Sequence, residues 1–233
     1  MFYFYGYDFT YFIFMIPCLI LSIYASTKVN STFKKYSQVQ NRRRLTGAQA
    51  AQQVLSAHGV TGVVIEQTRG HLSDHFDPRT NTIRLSQSVY NSTTVAAVGV
   101  AAHEAGHAVQ HAQGYVPNKI RSIIVPVANI GSKLSWFLIF IGFLLPVQYN
   151  FVVTLGIFFF SFSVLFTLVT LPVEFNASKR ALATIRTNNL LYDDEYDGAK
   201  KTLSAAAMTY VAAAATAVAQ LLRLLLIMNR RNN

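Results

Sequence analysis

Apolar positions in this chain fall into long unbroken runs, not into the short amphipathic stripes of a water-soluble domain. Phe9 to Thr27 is 19 residues without a charge and contains Tyr11-Phe-Ile-Phe-Met-Ile-Pro-Cys-Leu-Ile-Leu21. About 20 apolar residues cross a bilayer. No Lys or Arg precedes the run, so the basic leader of a cleaved signal peptide is missing. The pattern predicts an uncleaved transmembrane helix, with Pro17 as its candidate kink. A second run is longer: 40 uncharged residues lie between Lys133 and Glu174. As helix this is ~60 Å, two crossings of a ~30 Å hydrocarbon core. The polar cluster Pro146-Val-Gln-Tyr-Asn150 marks the turn. The prediction is a helical hairpin, 134–147 and 151–171, its first arm starting as far back as Ile123 and its second closed by Pro172. A third run, Leu203 to Leu222, is 20 residues long, alanine-rich and basic at both flanks. It predicts a fourth span, with a helix buried against the hairpin as the alternative.

Between the first two runs the periodicity changes. Thr46 is placed to cap a helix with Ala48, Ala51, Val54 and Leu55 on one face and Gly59 as its stop. Val60 to Ile65 reads as a strand. His71–Phe76 and Thr82–Leu85 flank the turn signature Asp77-Pro-Arg-Thr-Asn81, which predicts a hairpin. Ser92 then caps a helix from Thr93 to about Ala112, ended by Gly114 and Pro117. The expected fold class is a mainly α membrane protein of the α+β kind: the Thr93–Ala112 helix, which carries His103-Glu-Ala-Gly-His107 and so reads as a zincin-like HExxH helix, with a small β-hairpin or sheet, packed on about four transmembrane helices. The expected divisions are 1–27, an N-terminal transmembrane helix; 28–133, a cytoplasmic part; 134–172, the hairpin; 173–202, a helix with an acidic cap; and 203–233, a fourth transmembrane helix and basic tail.

Composition agrees with a membrane protein. Apolar types make up 52% and charged types 13% of the chain, where a soluble domain carries roughly 25% charged residues. The mean hydropathy is +0.31. Global disorder is excluded, because disordered chains are poor in apolar residues. One cysteine, Cys18, excludes a disulfide scaffold and any zinc site built from several thiolates. The formal charge is +10, from 20 basic residues against 10 acids. Lys28, Lys34, Lys35 and Arg42 to Arg44 follow the first run; Lys119, Arg121 and Lys133 precede the hairpin; Lys179, Arg180 and Arg186 follow it. The positive-inside tendency makes that side cytoplasmic and places the N-terminus outside. The charges flank spans instead of forming a basic domain, which argues against nucleic acid as a partner.

The chemistry concentrates in His103-Glu-Ala-Gly-His107. Histidines at i and i+4 of a helix share one face, one turn apart, and can bind one Zn²⁺ in tetrahedral geometry. Glu104 sits about 100° round the helix, placed to act on metal-activated water as general base without displacing it; this is the HExxH pattern. A catalytic zinc needs three protein ligands and an open position. His111 stands too far along the helix and falls short of the longer HExxHxxGxxH spacing, so it reads as a helix-end residue. His71 and His75 lie on the expected hairpin, where a strand could present them as ligands, and as hairpin residues they read as structural or substrate-contacting. Asp193, Asp194, Glu195 and Asp197 read as a solvated cap for the last helix. Glu174 is an isolated acid just past an apolar run, in Leu171-Pro-Val-Glu-Phe-Asn176. A carboxylate kept so close to lipid favours function, which makes Glu174 the candidate third ligand.

Five segments together carry a resemblance: Asp74-His-Phe-Asp-Pro-Arg79, Val98-Gly-Val-Ala-Ala-His-Glu-Ala-Gly-His-Ala-Val-Gln110, Val125-Pro-Val-Ala-Asn129, Leu171-Pro-Val-Glu-Phe-Asn-Ala-Ser-Lys-Arg-Ala181 and Thr209-Tyr-Val-Ala-Ala-Ala214. They resemble the YugP-like neutral zinc metallopeptidases, membrane-embedded enzymes of bacteria, over nearly the whole chain. The resemblance implies membrane residence, zinc and peptide hydrolysis, with His103, His107 and Glu174 as ligands and Glu104 as base. It also implies an Asp two positions after the ligand Glu, where this chain has Asn176. Asn accepts a hydrogen bond but carries no charge, so the support that a carboxylate gives a ligating His is weaker.

The expected function is therefore zinc-dependent hydrolysis of a polypeptide, a membrane or misfolded protein, by an enzyme resident in the lipid bilayer. Asp74 and His75, with Phe76, form a candidate edge strand for an extended substrate. Tyr90, Tyr115, Arg180 and the histidines are candidates for stabilising the oxyanion. The alternative is a non-catalytic integral membrane zinc-binding protein. A zinc transporter is disfavoured, because the 40-residue run offers only Ser, Thr, Gln and Asn as polar residues.

Overall fold

A computed structural model describes residues 3–4, 7–70 and 73–232. Two short strands, β1 (Tyr3–Phe4) and β2 (Tyr7–Asp8), pair antiparallel ahead of α1 (Phe9–Tyr36). There follow α2 (Gly47–Ala57), β3 (Val64–Thr68), β4 (His75–Asp77), β5 (Thr82–Ser86), α3 (Gln87–Tyr90), α4 (Val95–Ala112) and α5 (Val116–Leu144). A single 3-10 turn (Val147–Tyr149) leads into α6 (Asn150–Thr187), and α7 (Asp193–Asn232) is the last of the described elements. The protein is mostly helical, and α1, α5, α6 and α7 are each long and apolar enough to cross a membrane.

The chain divides into two compact units. The first comprises Met1–Ala25, Ile120–Leu171 and Thr209–Asn233. Its interior is an apolar stack of Ile139, Val153, Ile157, Phe160, Val164 and Leu224. Arg231 donates to the carbonyls of Gly142 and Leu145, at 2.8 and 2.5 Å. That satisfies acceptors that the end of α5 would otherwise leave bare. Large apolar side chains point outward: Ile123, Ile130 and Phe140 are each about two-thirds exposed or more. Such continuous apolar surface is foreign to a soluble monomer and native to a lipid-facing helix.

The second unit comprises Ser26–Lys119 and Pro172–Met208. Its sheet has the order β3-β5-β4. β3 runs parallel to β5, with Val64 opposite Thr82 and Thr68 opposite Ser86. β4 runs antiparallel to β5, with His75 opposite Arg84 and Asp77 opposite Thr82. The central strand is the buried one, since Ile83 and Leu85 have no accessible surface. Val54 and Leu55 of α2, Val98, Ala101, Ala102 and Val109 of α4, and Ala181 and Ile185 of α6 close the same core. Thr46 caps α2 as the sequence predicts: its side chain accepts from the Gln49 amide, and the Gln49 side chain accepts from the Thr46 amide, a capping box. Ala50, not Ala48, joins the buried face of α2.

Four local expectations are corrected. α4 begins at Val95 with Thr94 as its cap, not at Thr93 with Ser92. Residues 39–41 hold the preceding segment extended, through Asn41 N to Thr93 O (2.8 Å) and Val95 N to Val39 O (2.9 Å). Pro117 does not end α4; it lies in the first turn of α5, where a missing N–H costs nothing. The strands are displaced as well, β3 to Val64–Thr68 and β4 to His75–Asp77. Pro172 does not close the hairpin, because α6 runs through it to Thr187. Beyond Pro172, Val173, Ala177, Ala181 and Ile185 recur every four residues and are fully buried. Burial of that stripe outweighs the one backbone hydrogen bond that proline removes.

Candidate metal centre

α4 presents His103 and His107 one turn apart, and the part of α6 beyond Pro172 presents Glu174 to them. Both belong to the second unit. His103 Nε2 lies 3.2 Å from Glu174 Oε2, His107 Nε2 lies 3.4 Å from the same oxygen, and the two Nε2 atoms are 3.1 Å apart. These three groups each offer a ligand atom, all within 4.8 Å of one another. The site is sheltered but reachable: the imidazoles keep 14% and 12% of their side chains accessible, and Glu174 keeps 4%.

The helices meet this closely because of Gly106. A Cβ at that position would fall 2.6 Å from the carbonyl oxygen of Ala177 on α6. The small residue between the two histidines is thus what lets Glu174 reach them. Sequence reading uses the two histidines of this motif and passes over its glycine.

A chain of side chains sets the orientation of His107. Arg180 Nε, which only donates, is 2.7 Å from Asn176, so the Asn176 atom facing it is the carbonyl oxygen. Gln110 donates to that oxygen at 3.0 Å and to Val173 O at 2.8 Å, so its amide nitrogen faces α6. Its own carbonyl oxygen then faces His107 Nδ1 at 3.1 Å and takes a hydrogen from it. The Nδ1–H tautomer leaves the Nε2 lone pair pointing at Glu174 and His103. His103 has an equivalent partner, with Nδ1 3.0 Å from Ser178 Oγ. Gln110 is fully buried. Neither Gln110 nor Ser178 is singled out by sequence reading, although both stand a helical turn from a site residue, at His107+3 and Glu174+4. Asn176 lies in this network two bonds from His107, through Gln110.

Burial of the His107 ring opposes a charge on it, while the hydrogen bond and charge of Glu174, with the charge of Glu104, favour one. The net direction is upward from an ordinary imidazole, so protons compete for the positions a cation would take. Glu104 is buried and hydrogen-bonded to nothing among the described residues.

The other candidates stand apart from the three-donor group. Asp74 accepts from the Ser86 amide at 2.7 Å and from Ser86 Oγ, a structural brace between β4 and β5. His75 is exposed on β4, its Nδ1 2.8 Å from Ser73 O. β4 is an edge of the sheet. His71 lies outside the described residues. His111, in the last turn of α4, packs its ring 5.7 Å from that of Phe76. Arg180 is committed to Asn176 and, at 2.5 Å, to Gln113. The acidic group is only partly solvated: Glu195 is buried and accepts from the amides of Arg42 (2.8 Å) and Tyr192 (3.0 Å), while Asp194 pairs with Arg42. Two backbone donors on one carboxylate explain its burial.

A family model described as "Putative neutral zinc metallopeptidase" matches residues 11–229. The chain belongs to this family. It is also 44% identical, over 217 residues covering 93% of this chain and 96% of the relative, to a protein of Bacillus subtilis (strain 168) named "Putative membrane protease YugP". No solved structure matches the chain. Zinc is the metal implied by the family, and the donor set suits it: two imidazole nitrogens and one carboxylate, each imidazole oriented from behind, are ligands zinc takes at catalytic sites.

Proposed function

We propose that this chain is a membrane-embedded zinc metalloendopeptidase with a zincin-like helix, in which His103, His107 and Glu174 hold the ion and Glu104 is the general base. One observation carries the reading: His103 Nε2, His107 Nε2 and Glu174 Oε2 converge within 3.4 Å of one another from α4 and α6, residues 71 and 67 apart in sequence. With a carboxylate as third ligand the site is gluzincin-like. A divalent ion bound there supplies Lewis-acid polarisation of a peptide carbonyl and acidifies water toward neutrality.

The protein's own groups do the rest. Gln110 keeps the His107 lone pair turned inward, and Ser178 Oγ holds the His103 ring from behind. Glu104 takes the proton from the attacking water and delivers it to the amine of the leaving peptide. β4, an edge strand among the described residues, offers its outer backbone edge to an extended polypeptide. The substrate class is a membrane or misfolded polypeptide. The distribution of Lys and Arg about the four apolar helices supports a multi-pass protein of the cell membrane, with its N-terminus outside and its active site in the cytoplasm.

Metal analysis with casein cleavage, wild type against Glu104→Gln, tests the proposal. The variant is expected to keep its zinc and to lose about 10²- to 10⁴-fold in rate, the contribution of a positioned base. Undiminished hydrolysis, or loss of zinc by the variant, removes Glu104 from that role. A wild type that holds zinc firmly and cleaves nothing favours a non-catalytic membrane zinc protein.

A further inference from the structure

The second unit contains a strongly cationic cleft that the proposed chemistry does not use. The C-terminal part of α1 and the early part of α7 border a space of about 580 Å³, lined by Lys28, Lys35, Lys200 and Lys201 against one carboxylate, Asp197. The two helices are held close at Gly198, where a Cβ would lie 2.7 Å from the Tyr36 ring. None of the four ammonium groups forms an ion pair among the described residues, and Lys35 has only the Tyr36 ring, 5.6 Å away. Four like charges around one space repel each other, and an anion entering it relieves that repulsion. Thr32 and Ser204 add hydroxyls to the lining, and Ala205 and Met208 add an apolar wall.

The sequence sets the depth of this cleft. Lys28 is the first charge after the uncharged run Phe9–Thr27, and Lys201 is the last before the uncharged run Thr202–Leu222. On the membrane reading proposed above, both lysines stand where a span leaves the hydrocarbon, the level of the headgroups. Basic pockets between membrane helices at that level suit anionic headgroups. We propose that the cleft binds an anionic phospholipid, its phosphate among Lys28, Lys35, Lys200 and Lys201 and an acyl chain along Ala205 and Met208. A free phosphate would share the charge but would have no use for the apolar wall.

The test uses the full chain in nanodiscs of mixed phosphatidylglycerol and phosphatidylcholine, followed by native mass spectrometry of the lipids that stay bound. Wild type is expected to retain phosphatidylglycerol and not phosphatidylcholine. The doubles Lys35→Gln/Lys200→Gln and Lys28→Gln/Lys201→Gln change exposed side chains. At about 1 kcal/mol per basic residue, each double is expected to weaken retention about thirtyfold. Equal retention by wild type and both variants, or no preference over phosphatidylcholine, overturns the proposal. So does calorimetric binding of inorganic phosphate that the variants abolish while no lipid is retained, because the site then serves a free anion. Entry into nanodiscs without retention removes the lipid site alone; failure of the chain to enter them removes the membrane reading and the lipid site together.

Discussion

A carboxylate with 4% of its side chain accessible needs cationic or strongly donating neighbours, and Glu174 has two imidazoles within 3.4 Å. Replacing it with Ala should lower the zinc content of purified protein by more than tenfold, the smaller loss seen when an outer partner is removed. Unchanged metal content would place the third ligand elsewhere. Gln110→Leu is a subtler change, since it leaves every proposed ligand intact and removes the acceptor that fixes His107. Zinc affinity is expected to fall tenfold to a hundredfold in a competition titration with a chelator; an unaltered affinity would show that the Nδ1 hydrogen bond is dispensable. At this scale the sequence is informative where spacing on one helix implies proximity, as for His103 and His107. It is silent on Ser178, whose relevance depends on which helix face α6 turns toward α4. Glu174 stands between these cases: its isolation among apolar residues marks it, but not its distance from the histidines.

At the level of elements, the α4–α6 crossing is the main determinant of the site. Gly106→Ala sets two effects against each other. Alanine favours the helix by about 1 kcal/mol, while a methyl group 2.6 Å from a backbone oxygen forces the helices apart, an overpacking cost of about 1–3 kcal/mol. Overpacking is expected to win, giving a lower midpoint of thermal unfolding and weaker zinc retention; a midpoint at or above wild type would mean that the helices are not pressed together there. The element boundaries also show why local rules mislead. Proline reads as a terminator, yet Pro172 lies within α6 and Pro117 opens α5. Its cost is local and small compared with the burial of a four-residue stripe, so tertiary packing decides. Ser92 and Thr94 are equally suited to cap α4, and it is the pairing of residues 39–41 with 93–95 that selects Thr94.

For the whole molecule, the prediction concerns sidedness. A reporter fused after Lys35 is expected to report the cytoplasm, because basic clusters follow the first run and flank the hairpin in sequence, and all lie on one side if the hairpin enters and returns there; an exported signal would reverse the proposed orientation. The number of long apolar helices was legible from sequence, because an uncharged run of 19 residues or more is a length measurement, independent of how the chain packs. The adjacency of His103 and His107 was legible for a similar reason, since helical geometry converts a spacing of four into proximity. The tertiary structure alone decided that Glu174 lies 3.2 Å from His103, that Gly106 permits that approach, and that Gln110 and Ser178 stand behind the imidazoles. Those are contacts between segments some 70 residues apart. No local periodicity encodes them, because they follow from the summed burial of two helix faces against each other.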